Sequence, residues 1–365
     1  MKKLCAITCW LAISQVAKAQ FRVYSNEFLN IGAGARALGM GSANLASVTG
    51  STAGYWNPAR LTTVQDKPNI DLMHTEYFSG IGKYDFVSVA LPVNDNRRTI
   101  GVSLMRFGVD DLPNTLYLVK PDGSVNYNDI ETFSSADYAL LVSIGQVVKK
   151  TSSYTFSAGG NAKIIHRQIG SFAKAWGFGI DAAVSFSKEK WRVGAVLKDV
   201  TTTFNAWSFT FTDREKQVFY LTKNDIPQKS TELTAPRLML GGAYDFNFGQ
   251  NLRLSAEALL ETTFDGKRNT IIKTSFASID PRVGIELAYR HLIFVRAGVN
   301  NFQQALKDGD LTNQKKVWIY QPSLGAGFRI NSVRIDYAFT NLANQSSPLY
   351  THVFSLSFDL TKKAK

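Results

Sequence analysis

From about residue 69 to the C-terminus, apolar and polar residues alternate with a period of two, which is the repeat of strands and not of helices. Val333, Ile335, Tyr337 and Phe339 interleave with Arg334, Asp336, Ala338 and Thr340, and Leu252, Leu254, Ala256, Ala258 and Leu260 interleave with Arg253, Ser255, Glu257 and Glu261. Val283, Ile285, Leu287 and Tyr289 face away from Arg282, Glu286 and Arg290. Trp176, Phe178, Ile180, Ala182, Val184 and Phe186 face away from Gly177, Gly179, Asp181 and Ser185. The pattern predicts about fourteen strands, at 69–78, 84–92, 98–107, 135–148, 153–167, 173–187, 190–198, 235–247, 251–261, 281–290, 292–301, 317–330, 332–341 and 350–360.

Alternation alone fits a soluble sandwich as well as a membrane barrel, and the connections decide between them. The even-numbered connections are all tight: 93–97, 149–152, 188–189, 248–250, His291 alone and Asn331 alone. The long ones, 108–134, 199–234, 262–280 and 302–316, are all odd-numbered and emerge on one side. Short turns at one end and long loops at the other, with an even strand count, describe an outer-membrane-type barrel. Within the longest loop, Ala206–Thr212 and Lys216–Leu221 read as a possible extra hairpin. The last strand, with Phe354, Leu356, Phe358 and Leu360 on one face, reads as the closing strand. Tyr77, Phe78, Tyr84, Phe107, Tyr154, Trp191, Tyr289, Trp318, Tyr337 and Tyr350 read as interfacial girdles.

The stretch before the strands obeys neither period. Phe28 to Leu61 carries Gly32, Gly34, Gly39, Gly41, Gly50 and Gly54 among small residues, a single Arg36 before Arg60, and the step Tyr55-Trp56-Asn57-Pro58-Ala59. Glycine at this density costs about 0.5–1 kcal/mol per residue in a regular element, so the segment folds only against something else. The expected arrangement is a plug over residues 20–66 lying inside a barrel over residues 67–361.

Residues 1–19 have a basic start at Lys2 and Lys3, an apolar stretch and an Ala17-Lys18-Ala19 cleavage pattern, which predicts a signal peptide removed before Gln20. Both cysteines, Cys5 and Cys9, fall inside it, leaving a mature chain without thiols. The formal charge of +12 loses three lysines with that segment, so a surplus of +9 belongs to the folded part. It fits contact with anionic lipopolysaccharide and implies no nucleic acid. No later segment approaches the ~18–20 apolar residues of a membrane helix.

Candidate chemistry is sparse. His74, His166, His291 and His352 are scattered without metal-ligand spacing, and the glycine pairs 32/34 and 39/41 have neither the preceding strand nor the following Lys-Ser/Thr of a phosphate loop. The chain therefore reads as no enzyme, with no cofactor and no metal. The informative residues are the charges on the polar strand faces, Arg253, Glu257, Arg282, Glu286, Arg334 and Asp336, with Arg192, Lys198, Glu261, Arg290 and Arg296 beside them. They are expected to pair across strands inside the lumen.

The run FLNIGAGARALGMG followed by YWNPARL resembles the N-terminal signature of the PorV/PorQ family of outer-membrane proteins, itself similar to the FadL long-chain fatty-acid transporters. The resemblance implies a FadL-like fourteen-stranded barrel in the outer membrane. It also implies a role in type IX secretion, with surface loops that bind the C-terminal domains of secreted cargo or the secretion translocon. On the matching positions, Gly32, Gly34, Arg36, Gly39, Gly41, Trp56, Asn57, Pro58 and Ala59 are then structural plug residues. The FadL side of the resemblance implies the alternative, transport of a hydrophobic small molecule gated by the plug.

Overall fold

The structure is a computed structural model that describes residues 25–93, 95–118, 120, 122–306, 315–341 and 350–360. The expected signal peptide and its cleavage site lie outside the described residues.

Seventeen ladder segments form one closed antiparallel sheet. Two pairs of segments are collinear and one is a two-residue rung at Ile272–Lys273, so the wall has fourteen staves. These are β1 (Asn69–Tyr77), β2 (Gly82–Val93), β3 (Arg98–Asn114), β4 (Glu131–Lys150), β5 (Tyr154–Ile169), β6 (Ala173–Lys188) and β7 (Trp191–Lys198 with Thr203–Phe209). They continue as β8 (Ser230–Thr234 with Arg237–Phe248), β9 (Leu252–Thr263), β10 (Ser278–Tyr289), β11 (Ile293–Leu306), β12 (Lys316–Ile330), β13 (Val333–Thr340) and β14 (Thr351–Asp359). Closure is direct: β1 pairs with β14 from Asn69 opposite Asp359 to Glu76 opposite His352. With no edge left among the described strands, the ladders close on one another except at one break described below, which is the condition for strands to cross lipid.

The wall is inside out relative to a soluble protein. On β6, Trp176 is 59% exposed and Phe178 41%, while their neighbours Asp181 and Ser185 are 3% and 4% exposed. Apolar residues line the outer surface and polar ones the interior, so the outer face is matched to lipid. Outward aromatic clusters mark both ends of this band. Trp191 with Tyr244 (4.5 Å) and Tyr154 with Phe186 (5.5 Å) lie near the short turns, and Trp176 with His166 (4.3 Å) lies near the other end. Tyr84 and Phe107 do not belong to the girdle, and neither does Tyr77. Tyr84 is fully buried, and Phe107 packs on the interior cluster. Their strands place them on the lumen face, a parity that composition alone does not set.

The tight turns keep the expected parity with small shifts. The turn expected at His291 alone spans 290–292, with Arg290 and His291 both at positive φ, so Arg290 points to solvent and not into the lumen. At the long-connection end, β3 and β4 run beyond their expected limits and leave only 115–130 as loop. The expected hairpin at 206–221 is corrected. Thr203–Phe209 pairs with Ser230–Thr234, and Asp213–Leu221 is a helix, α3. Thr212 and Glu215 cap its N-terminus reciprocally, a sequence signature of Thr-x-x-Glu that outweighs the strand reading.

β7 breaks at 199–202, where Asp199 and Thr202 have φ of 57° and 62°. β8 breaks at the same level, at Ala235-Pro236, where proline has no N–H to give the ladder. A buried polar cluster fills this gap in the wall. Lys163 Nζ donates to Asp181 at 2.8 Å and to Asp199 at 2.5 Å, Thr203 Oγ1 donates to Asp199 at 2.5 Å, and Arg237 lies 3.6 Å from Asp199.

Candidate functional site

The N-terminal segment lies inside the barrel. Between Ser25 and Val64 it forms two short helices, α1 (Ala35–Gly39) and α2 (Ala53–Trp56), with 3-10 turns at Glu27–Asn30 and Pro58–Thr63. Ala33, Ala35, Met40, Ala43, Leu45, Val48, Ala53, Asn57, Ala59 and Leu61 have no solvent exposure. Small residues let the backbone touch the wall, and the wall answers with glycines of its own. A Cβ on Gly41, whose φ is +61°, would sit 2.5 Å from Val299 N. A Cβ on Gly298 would sit 2.1 Å from the Met40 carbonyl carbon, and one on Gly145 would sit 2.5 Å from the Pro58 oxygen. Gly39 meets Gly325 in the same way, at 3.0 Å. These wall glycines are part of the site that the sequence analysis did not single out. Their signal was available: glycines recurring on the polar face of strands, where a lumen needs no such gaps unless backbone approaches.

The remaining motif residues hold the plug to itself. Gly32 N donates to Tyr55 Oη at 3.1 Å, and that hydroxyl donates to the Leu29 carbonyl at 2.7 Å. Trp56 Nε1 donates to the Ala33 carbonyl at 2.8 Å, so both large aromatics turn only their apolar surfaces outward. Gly34 N reaches Met73 Sδ at 3.0 Å. Asn57 Nδ2 donates to the Leu45 carbonyl, and its Oδ1 accepts from Ala59 N, capping the turn that Pro58 begins.

The predicted lumen charges come together with the plug. Glu257 accepts three plug backbone N–H groups, from Leu45 at 2.6 Å, Ala46 at 2.7 Å and Ser47 at 3.0 Å. Glu286 accepts from Arg36 of the plug at 2.8 Å and from Arg296 at 2.7 Å. Arg296 continues to Asp336 at 2.8 Å, and Asp336 accepts from Arg334 at 2.8 Å. Arg253 stands at the margin of this network, 3.9 Å from Glu286. Arg282 pairs instead with Glu261 and Asp280, in a second group. On the other side of the plug, Asp71 accepts from Ser51 Oγ at 2.6 Å and from Ser51 N at 3.0 Å. Arg60 donates to the Val48 carbonyl and to Ser187 Oγ; burial, with Arg192 nearby, lowers it to about 10.

The lumen wall is divided by chemistry. β1 to β4 turn Met73, Tyr84, Phe86, Met105, Phe107 and Leu141 inward, and these join Phe28, Leu29, Tyr55 and Trp56 of the plug in one apolar cluster. Tyr55 meets Phe86 edge-on at 6.2 Å. The inward charges of these strands, Asp71 and Asp137, sit toward opposite ends. From β5 to β13 the large inward side chains are mainly charged pairs, with Ile165, Val196, Met239 and Leu259 of the same apolar cluster set among them.

Two vestibules flank the plug. One, of about 390 Å³, lies at the long-connection end beside Ile31, Leu38, Tyr77, Arg268 and Asn300. The other, of about 650 Å³, lies at the short-turn end beside Gln65, Lys67, Arg329 and Asn331. Deeper, beside Arg36, Asp71, Arg334 and Asp336, a void of about 10 Å³ is at the lower limit for one water. The plug and the paired charges close the lumen between the two vestibules.

No protein-family model and no curated protein sequence matches the chain. Solved structures do. The Pseudomonas putida toluene transporter TodX superposes with a TM-score of 0.54 at 14% identity, over 94% of this chain and 100% of that one. The Ralstonia pickettii toluene transporter TbuX gives 0.52 at 14% identity, over 90% and 99%. The CymD monoaromatic hydrocarbon channel gives 0.53 at 14% identity, over 92% and 99%. At this identity the likeness is one of fold. The chain thus has the fold of these toluene and monoaromatic hydrocarbon transporters, a closed fourteen-stranded antiparallel barrel preceded by an N-terminal helical segment.

Proposed function

We propose that the protein is an outer-membrane channel for small hydrophobic molecules, with the long connections outside the cell and the N-terminal segment as its gate. The observation that carries this reading is the apolar seam of β1 to β4. A barrel that needed only rigidity could pair charges all round its lumen, yet one side presents Met73, Phe86, Met105 and Leu141 to the plug's Phe28, Leu29, Tyr55 and Trp56. A small hydrophobe can compete for those contacts and replace plug side chains at little cost in hydrophobic free energy. The shared fold with hydrocarbon channels supports the same reading, which assigns the chain no catalysis.

The test is uptake by cells that lack their own hydrophobe channels. Expression of the full chain is expected to raise uptake of labelled toluene or oleate above the vector control, and Met105→Asp with Leu141→Asp is expected to abolish the gain while the barrel still inserts. Uptake equal to the vector control for both compounds would overturn the reading.

A second reading keeps the type IX secretion role that the PorV/PorQ resemblance implies, with cargo C-terminal domains or the translocon bound at the surface. One observation favours it: Tyr127, Tyr220, Leu221 and Phe276 are 73%, 81%, 61% and 75% exposed on the long connections, beyond the lipid band. Affinity capture from detergent-solubilised membranes followed by mass spectrometry tests it. Recovery of lipid without a stoichiometric protein partner would sink this second reading. Intact mass beginning at Gln20 is the expected outcome for the signal peptide under both.

A further inference from the structure

The vestibule at the long-connection end carries chemistry that a route for hydrophobes does not use. Its walls are rich in side-chain amides, from Asn30, Asn269, Asn300, Asn301, Gln303 and Gln321. A β-bulge builds part of this lining. The β11–β12 register shifts between Asn300 and Gln303, and Asn301 takes a φ of 52°, so consecutive polar residues reach the same cavity. Two of these amides have no work elsewhere among the described residues. Asn300 and Gln321 face each other across the ladder, and neither side-chain amide bonds another described residue. Thr263 Oγ1 and Asp280 Oδ1 lie sealed behind this lining, out of reach of the cavity itself and without a partner among the described residues. The amides of Asn300 and Gln321, open to the cavity, are therefore left to exchange hydrogen bonds with what enters.

The charges narrow the class of ligand. Arg268 is held by Asp265 and by Glu27 at 3.2 Å, and Arg282 is held by Glu261 and by Asp280 at 3.4 Å. Among the described residues, the lining therefore offers a carboxylate no uncommitted cation. A carboxamide supplies donors and acceptors together, which suits hydroxyl groups that do the same. Another part of the lining is apolar: Tyr77 and Phe78 stand edge to face at 5.0 Å, with Ile31 and Leu38 of the plug nearby. The electron-rich faces of such rings suit C–H groups. At about 390 Å³ the cavity falls within the range of small-ligand pockets.

We infer that this vestibule is a binding site for an uncharged saccharide, whose hydroxyls meet Asn300 and Gln321 while a C–H face lies on Tyr77 and Phe78. The site stands whether or not anything passes through the barrel below it. The experiment uses the full chain in a detergent without a sugar headgroup. Saturation-transfer NMR and calorimetry are run with glucose, galactose, mannose, N-acetylglucosamine and their disaccharides, with octanoate as the anionic control. At least one sugar is expected to bind. The double variant Asn300→Leu with Gln321→Leu is expected to raise its Kd by about tenfold or more, the equivalent of one or two lost hydrogen bonds. Phe78→Ala is expected to weaken binding with the hydroxyl contacts intact, and octanoate is expected not to compete. Heat-modifiable migration on gels shows that each variant keeps its barrel. No saturation transfer to any sugar, unchanged affinity in the folded double variant, or displacement by octanoate would each overturn the proposal.

Discussion

Glu257 offers the sharpest test of how the plug is held. Its carboxylate gathers three consecutive plug amides, those of Leu45, Ala46 and Ser47, at 2.6–3.0 Å in a site where Glu257 is 3% exposed. Hydrogen bonds to a charged group contribute about 1.5–3 kcal/mol each. In Glu257→Gln the carbonyl oxygen can keep the two shorter bonds, but the new NH₂ then faces the Ser47 N–H, donor against donor. Losing one bond and the charge behind the other two gives an expected local destabilisation of about 3 kcal/mol. That corresponds to roughly a hundredfold faster amide exchange wherever local opening controls it. The barrel ladder does not run through these amides, so its protection is expected to stay. Hydrogen exchange of the detergent-solubilised protein, read by mass spectrometry over peptides covering 44–48 and over β9, gives both numbers in one experiment. Unchanged exchange at 45–47 in a correctly inserted Gln variant would refute the reasoning, and it would mean that shape complementarity alone holds this turn.

Other perturbations follow from the same geometry. Gly41→Val puts a Cβ 2.5 Å from Val299 N at a φ of +61°, and is expected to undock the plug, exposing Arg36 to trypsin in a barrel that remains heat-modifiable; an uncleaved plug would refute the close-packing account. Lys163→Met strands Asp181 in the wall and weakens the pairing of Asp199, leaving it Arg237, and is expected to cost about 3–5 kcal/mol, seen as a lower urea midpoint that added Asp181→Asn recovers in part. An epitope inserted after Asp225, on the exposed segment following α3, is expected to be labelled on intact cells, and one at Glu189 is not; equal labelling would reverse or abolish the proposed orientation.

Much of this architecture is written locally. Period-two alternation places Ile335 outward and Asp336 inward without any tertiary knowledge, and turn lengths give the parity of the connections. The plug is legible for a different reason, since a glycine-rich segment with Trp56 and Pro58 at its end can fold only against a partner. What escapes is whatever depends on register. Tyr84 and Trp191 look alike in sequence, yet one is fully buried in the lumen and the other is 59% exposed at the lipid face. A one-residue slip exchanges the two faces of a strand, so single aromatics near strand ends cannot be assigned by composition. The pairing of Arg36 with Glu286 across 250 positions is invisible for the same reason, although both residues stand out separately. Asp213–Leu221 fails as a strand because a capping box is a stronger local signal than a brief alternation.

The division of the lumen gives the two kinds of plug contact different consequences. Apolar contacts such as Tyr55 on Phe86 are non-directional, so a ligand of suitable size can substitute for them without leaving unmatched groups behind. The Arg36–Glu286–Arg296–Asp336 chain cannot be exchanged in this way. Removing one member strands a buried charge, and no hydrophobe can take its place. Buried ion pairs of this kind add little net stability compared with apolar packing, but they admit few alternative registers. The ion pairs of β10, β11 and β13 therefore anchor the plug on one side, as Ser51 on Asp71 anchors it to β1, and the apolar contacts with Met73, Phe86, Met105 and Leu141 are the ones expected to yield. If the plug is the gate, it is expected to swing on these polar anchors and to stay inside the barrel. The moving parts are then expected at Phe28, Leu29, Tyr55 and Trp56, with Arg36 and the turn held by Glu257 staying in place.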